Sequence, residues 1–203
     1  MLIKDFQLGQ LETNCYVVTD EATMECAVID PGDEANTVLD YLEEHKLTCR
    51  FIFLTHGHFD HTMAVNELAA ETGAKVCINE KDTHVSGETV QFAFSPPDGS
   101  VLYSEGAVIH MGSLDFKVLE TPGHSPGSVT LQCGNVLFTG DTLFRDSCGR
   151  TDLPGGDMGA LMASLRRLAL LPGDYEVYPG HMDSTTLEHE RRFNYYITCA
   201  LNR

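Results

Sequence analysis

The chain has 203 residues, 42% apolar and 21% charged, a balance that suits a folded globular protein of one large domain or two small ones. Thirty Asp and Glu against 13 Lys and Arg give a formal net charge of −17, which opposes a polyanionic partner, so nucleic acid is excluded as an expected ligand. No apolar run reaches the roughly 18 residues of a membrane span and the first residues hold no signal-like apolar core, so no membrane partner is expected and the cytoplasm is the expected compartment.

In chain order, strands are expected over residues 2–8, 15–19 and 26–30. A turn follows at Asp30-Pro31-Gly32-Asp33, and Asp33 is placed to cap a helix over residues 34–45, where Val38, Leu39 and Leu42 form an apolar face. Residues 51–55 read as a strand and residues 61–71 as a helix stopped by Gly73. Another strand covers residues 75–79. Residues 80–106, broken by Ser95-Pro96-Pro97-Asp98-Gly99, read as a short helix and a long loop. Strands then follow at 107–110, 114–120, 128–133 and 135–139, an amphipathic helix at 158–170, a strand at 175–178 and a terminal helix at 185–200. Strands with helices in both halves predict two facing sheets with helices outside. The seven cysteines are scattered and include no Cys-x-x-Cys, a pattern of reduced thiols rather than a disulfide framework.

The chemistry concentrates in Thr55-His56-Gly57-His58-Phe59-Asp60-His61, directly after the apolar run Phe51-Ile52-Phe53-Leu54. Imidazole nitrogens and a carboxylate are ligands for zinc and other divalent first-row metals, and the end of a buried strand is where α/β folds place their chemistry. Three later segments repeat the pattern of one ligand-type residue beside a glycine just past a strand: Thr121-Pro122-Gly123-His124, Thr139-Gly140-Asp141 and Tyr178-Pro179-Gly180-His181. One histidine or aspartate in a glycine-rich turn is most often a turn former. Seven such residues in one chain point to a metal site.

These motifs, with Thr13-Asn14-Cys15-Tyr16 and Ile29-Asp30-Pro31-Gly32, resemble the metallo-β-lactamase-fold hydrolases, and within them the short bacterial glyoxalase II-like (hydroxyacylglutathione hydrolase-like) branch. The resemblance implies a single domain over residues 1–203, an α/β four-layer αββα sandwich of two facing mixed sheets with outer helices. It implies that His56, His58 and His124 hold one divalent metal, that Asp60, His61 and His181 hold a second, and that Asp141 bridges them. Zinc is the expected metal, and iron or manganese suits the same ligands. The implied activity is hydrolysis of a small-molecule thioester of the hydroxyacylglutathione type by a metal-bridging hydroxide, with Asp60 orienting it or relaying its proton. Asp at 141, where antibiotic-degrading lactamases of the fold often have cysteine, counts against lactam hydrolysis.

Arg150, in Cys148-Gly149-Arg150-Thr151-Asp152, matches a basic residue that helps hold glutathione in the family, and a guanidinium suits a carboxylate. An ion pair of Arg150 with Asp152 is the competing reading. Asp152 stands where the family has a tyrosine, and the family's C-terminal helical region is missing; both weaken a glutathione preference. Asp30 is a candidate to orient a ligand histidine, or simply closes its turn. The rival activity is a mono-iron persulfide dioxygenase of the same fold, its iron held by the residues matching His56, His124 and Asp141. Against it, Asp183 stands where that branch has a tyrosine. The oligomeric state is not legible.

Overall fold

The structure, a computed structural model, describes residues 1–83 and 94–202. The first half of the chain forms a six-stranded sheet in the order β1 (Leu2–Leu8), β2 (Thr13–Asp20), β3 (Glu25–Ile29), β4 (Thr48–Phe53), β5 (Lys75–Asn79) and β6 (Val101–Tyr103). The second half forms another, in the order β14 (Thr185–Thr186), β13 (Glu176–Pro179), β10 (Val136–Gly140), β9 (Val129–Cys133), β8 (Leu114–Glu120) and β7 (Val108–Met111). A small hairpin, β11 (Leu143–Phe144) and β12 (Ser147–Cys148), follows β10. Both large sheets mix parallel and antiparallel pairs. No helix among the described residues is long and apolar enough to cross a membrane.

Three apolar layers hold these elements together, and the period-2 alternation of buried strands assigns residues to them. On β2, β3 and β4, Val17, Val28 and Ile52 face outward onto Val38 of helix α1 (Ala35–Glu44) and Leu68 of helix α3 (Val65–Thr72). Their chain neighbours Val18, Ile29 and Phe53 face inward and meet Phe116, Leu131 and Phe138 of the other sheet. Leu137, next to Phe138, turns the other way onto Leu161 and Leu165 of α4 (Met158–Ala169) and Ile197 of α6 (Tyr195–Leu201). Helix, sheet, sheet and helix therefore stack as the expected αββα sandwich. Full burial of one such phenylalanine contributes roughly 1.5–3 kcal/mol.

Strand direction decides where the site can be. β3, β4 and β5 run parallel, so their carboxyl ends share one edge. β2 runs antiparallel to β3 and therefore starts at that same edge, at Thr13 and Asn14. In the other sheet β8 and β10 both run antiparallel to β9, and β13 runs parallel to β10. Three more carboxyl ends are thus aligned, and each precedes one of the ligand-bearing turns.

Four local expectations need correction. The helix expected over 61–71 is two helices, α2 (Phe59–Thr62) and α3, because the Ala64 N–H reaches across to Pro31 O (3.1 Å) instead of continuing the helical ladder. Gly73 does end α3, at φ 69°. The expected terminal helix is strand β14 and two helices, α5 (Leu187–Phe193) and α6, split at Asn194, whose side chain accepts from the Tyr196 and Ile197 amides and starts α6 afresh. Asp33 does not cap α1; its Oδ1 accepts from the adjacent Glu34 amide at 2.7 Å. Finally, the stretch over 80–106 contains a 3₁₀ turn at Glu80–Asp82 and strand β6; residues 84–93 lie outside the described set.

Candidate metal centre

All seven expected ligands meet at the shared edge of the two sheets. The ligand atoms of His56, His58 and His124 lie within 4.8 Å of one another, and so do those of Asp60, His61 and His181. Asp141 sits between the two sets, with Oδ1 3.4 Å from His61 Nε2 and Oδ2 3.4 Å from His124 Nε2 and 3.7 Å from His181 Nε2. Asp60 Oδ2 lies 3.2 Å from His181 Nε2 and 3.6 Å from His61 Nε2.

Hydrogen bonds behind the rings set which nitrogen faces the centre. His124 Nδ1 donates to the backbone carbonyl of Arg150 (2.8 Å), which leaves Nε2 as a bare lone pair directed at His58 Nδ1, 2.8 Å away. Buried Asp30 accepts from the Thr55 amide (2.7 Å) and hydroxyl (2.6 Å). With its proton committed to Asp30, the Thr55 oxygen accepts from His56 Nδ1 (3.1 Å), so His56 Nε2 also presents a lone pair. Asp30 Oδ2 further lies 3.1 Å from His61 Nδ1, although too poorly aligned for a hydrogen bond. Asp30 therefore does more than close its turn.

Several of these buried donor atoms, His56 Nε2, both nitrogens of His61 and Asp141 Oδ1, have no hydrogen-bond partner. Orphaned buried polar atoms are costly, and His56 Nε2, His61 Nε2 and Asp141 Oδ1 are atoms of the types that bind divalent cations, placed in the cluster of expected ligands. The residues present fit a pair of such ions.

The electrostatics separate the two sets. Burial first, and the neighbouring imidazoles second, push His56 well below the ordinary histidine range and His58 down to about 4, so both are neutral and ready to ligate. His61 moves the other way: burial opposes its charge, but Asp141 and Asp30 outweigh it and raise the ring to about 9. His181 is raised as well; burial is outweighed by its hydrogen bond to Asp60 and the charge of Asp141. Asp60 falls to about 2, where the hydrogen bond from His181 and the charges of His61 and His181 overcome burial.

Sequence reasoning missed the residues that brace the ligand loops. Asn14 Nδ2 donates to Pro179 O (3.0 Å) and Met182 O (2.8 Å), spanning the turn that carries His181, and the Tyr16 hydroxyl adds a bond to Pro179 O (2.6 Å). Buried Asp82 accepts from the Gly57 amide (3.0 Å), the Ser125 hydroxyl (2.6 Å) and the Gly127 amide (2.6 Å), tying the His58 loop to the His124 loop. The Thr13-Asn14-Cys15-Tyr16 motif was a signal for the first brace; nothing local marks Asp82. Glycine is required at 180, because a Cβ there would overlap Asp141 Oδ1 and the His61 ring.

Arg150 lies on the wall of a cavity of about 760 Å³ that opens over the centre, but its guanidinium is engaged. Nε and Nη2 donate to the two oxygens of Asp152, both at 2.6 Å. A further group, Asp146, His189 and Glu190, has ligand-like spacing, yet the Glu190 oxygens already accept from Thr185, Asn194 and the Asp146 amide, so it braces β11 and β12.

Two facing mixed sheets with outer helices, and a His/Asp cluster at their common edge suited to divalent cations, define a metal-binding αββα protein. Residues 8–181 match the family model of the metallo-beta-lactamase superfamily, and the chain belongs to that superfamily. Among its relatives is the hydroxyacylglutathione hydrolase GloC of Haemophilus influenzae, 32% identical over 97% of this chain and 98% of that one. Among solved structures, the chain is similar to the BLEG-1 B3 metallo-beta-lactamase (TM-score 0.88, 34% identity, 97% of this chain and 100% of the other). It is also similar to ETHE1 from Myxococcus xanthus (TM-score 0.85, 30% identity, 100% and 91%).

Proposed function

We propose that this chain is a thioester hydrolase that works with two divalent cations, zinc being the expected ion, on a small-molecule substrate of the hydroxyacylglutathione type. The observation that carries the reading is the second ligand set: Asp60, His61 and His181 converge as closely as His56, His58 and His124 do, with Asp141 between them. His56, His58 and His124 would hold one cation, Asp60, His61 and His181 the other, and Asp141 both. Bound there, the ions would acidify a water and polarise a carbonyl oxygen.

The rest falls to the chain's own residues. Asp60, on the cavity wall, orients the attacking water and moves its proton through Oδ2, the oxygen shared by His61 and His181. Asp30 and the Arg150 carbonyl keep the histidine rings aimed, so little reorganisation accompanies reaction. A thiolate is stable enough to leave without a strong general acid, and no such acid is needed from the wall. The match to GloC supports the hydrolytic reading.

A second reading, a mono-iron persulfide dioxygenase, rests on the likeness to ETHE1. Asp183, where that branch has a tyrosine, is exposed and faces Arg145 Nη1 at 3.7 Å. Metal analysis of the purified protein, followed by assays of thiol release from thioesters and of oxygen uptake with glutathione persulfide, separates the two. Two ions and thiol release are expected; one iron with oxygen consumption would replace the hydrolase reading.

A further inference from the structure

With its ions bound, the cavity over the metal centre is a cationic pocket in an acidic chain. Two divalent cations more than offset Asp60 and Asp141, the carboxylates that would hold them. Beyond the expected ligands, the charged groups on the wall are Asp82, Lys81 and Arg150 among the described residues. The Asp82 carboxylate is already met by the Gly57 and Gly127 amides and the Ser125 hydroxyl. The chain as a whole carries −17, so the loaded cavity is where an anionic small molecule finds attraction, and low-dielectric walls focus that field.

The two wall cations differ in what they hold in reserve. Arg150 places Nε and Nη2 on the two oxygens of Asp152. Lys81 Nζ makes one bond, to Glu120 Oε2 at 3.2 Å, although an ammonium carries three donors. The Lys81 side chain is 55% exposed, and an exposed ion pair of this kind holds its partner weakly. Glu120 does not depend on it, because Oε1 accepts from Asn79 Nδ2 (3.2 Å) and from the Glu105 amide (3.4 Å). The backbone beneath the side chain is fixed. Asn79 Oδ1 accepts from the Lys81 amide at 3.0 Å, and the next residue, Asp82, is the buried tie between the His58 and His124 loops. Lys81 is thus a mobile cation on a rigid base beside the first ligand set.

We propose that Lys81 is a substrate-binding residue that takes a carboxylate of the thiol carrier through the ammonium donors that Glu120 leaves unused. This deepens the hydroxyacylglutathione reading and rests on it, because glutathione brings free carboxylates to the carrier end of the substrate. The ammonium turns from Glu120 toward the cavity, or bridges the two carboxylates, while the thioester carbonyl lies at the ligand cluster.

Two thioethers test the proposal on the metal-loaded protein: S-hexylglutathione and its diethyl ester, which share the tripeptide and the hexyl arm and differ in the free carboxylates. Calorimetric titration should give the ester a Kd at least about fivefold higher in the wild type. Lys81→Met keeps the length of the side chain without its charge and should weaken S-hexylglutathione by about fivefold, with the ester no weaker than before. Lys81→Arg should restore S-hexylglutathione to within about twofold of the wild type. A Lys81→Met variant that binds S-hexylglutathione as the wild type does, an equal loss for the ester, failure of Lys81→Arg to restore binding, or a wild type that does not bind S-hexylglutathione would each overturn it. Neither ligand contains a thioester, so these outcomes are read independently of thiol release, and failure of the hydrolase reading would appear only in the separate thioester assay.

Discussion

Asn14 is buried at the start of β2, and its carboxamide spans the backbone on either side of His181. Truncation in Asn14→Ala removes both donors. Pro179 O keeps the Tyr16 hydroxyl, but Met182 O loses its side-chain donor, an expected loss of about 1–3 kcal/mol of folding stability. Met182 also has a left-handed backbone, φ 68°, which disfavours a non-glycine residue by roughly 1–2 kcal/mol and persists only while its surroundings hold it. Released, the turn relaxes and His181 loses its aim. Loss of such a supporting contact typically weakens a metal site by about 10–100-fold. The first ligand set, anchored through Asp30, Thr55 and the Arg150 carbonyl, should keep its affinity. Competition titration of cobalt(II) against a chromophoric chelator resolves the two events. Asn14→Asp, nearly the same shape but without donors and with a carboxylate facing two carbonyl oxygens, should weaken the second event at least as much. Two wild-type affinities in both variants, or equal losses at both sites, would refute the role assigned to Asn14.

Three further outcomes are expected. Asp141→Asn should lose both metal and thioesterase activity, and retention of both by metal analysis and assay would remove Asp141 as the shared ligand. His61 keeps its proton up to about pH 9 without metal, whereas His58, at about 4, has none to give at neutrality. With His181 raised as well, loading of the second cation at pH 7 should therefore release at least one proton and weaken at least about tenfold for each pH unit of acidification; calorimetry in two buffers of different ionisation enthalpy would contradict this if the second event released none. Gly180→Ala should push Asp141 and His61 apart, reducing second-site occupancy and lowering stability by about 1–3 kcal/mol, read by metal analysis and urea unfolding.

Most of the architecture was legible because alternation along buried strands is local. Val17 and Val18, Ile52 and Phe53, Leu137 and Phe138 are adjacent pairs that split between apolar layers, as a two-residue period requires. The failures occurred where a distant or polar partner overrode local pattern. Pro31 interrupts the helix expected over 61–71, and the Asn194 side chain restarts the terminal helix. Arg150 illustrates the same limit at the site: its residue type suits a carboxylate clamp, but only the fold shows that Asp152 already occupies it.

What the sequence determined by itself was the inventory and placement of candidate ligands: five histidines and two aspartates at the ends of strands. Residue type specifies ligand chemistry, and a strand followed by a glycine-rich turn is written in a few consecutive letters. What only the tertiary structure decided was how those ligands are held and which charges around them remain available. The bond from Asn14 to Met182 joins residues 168 positions apart, and Asp82 ties loops that share no local signal. Such partnerships depend on two sheets packing face to face, and an acceptor's identity carries no information about which remote donor the packed chain will bring to it.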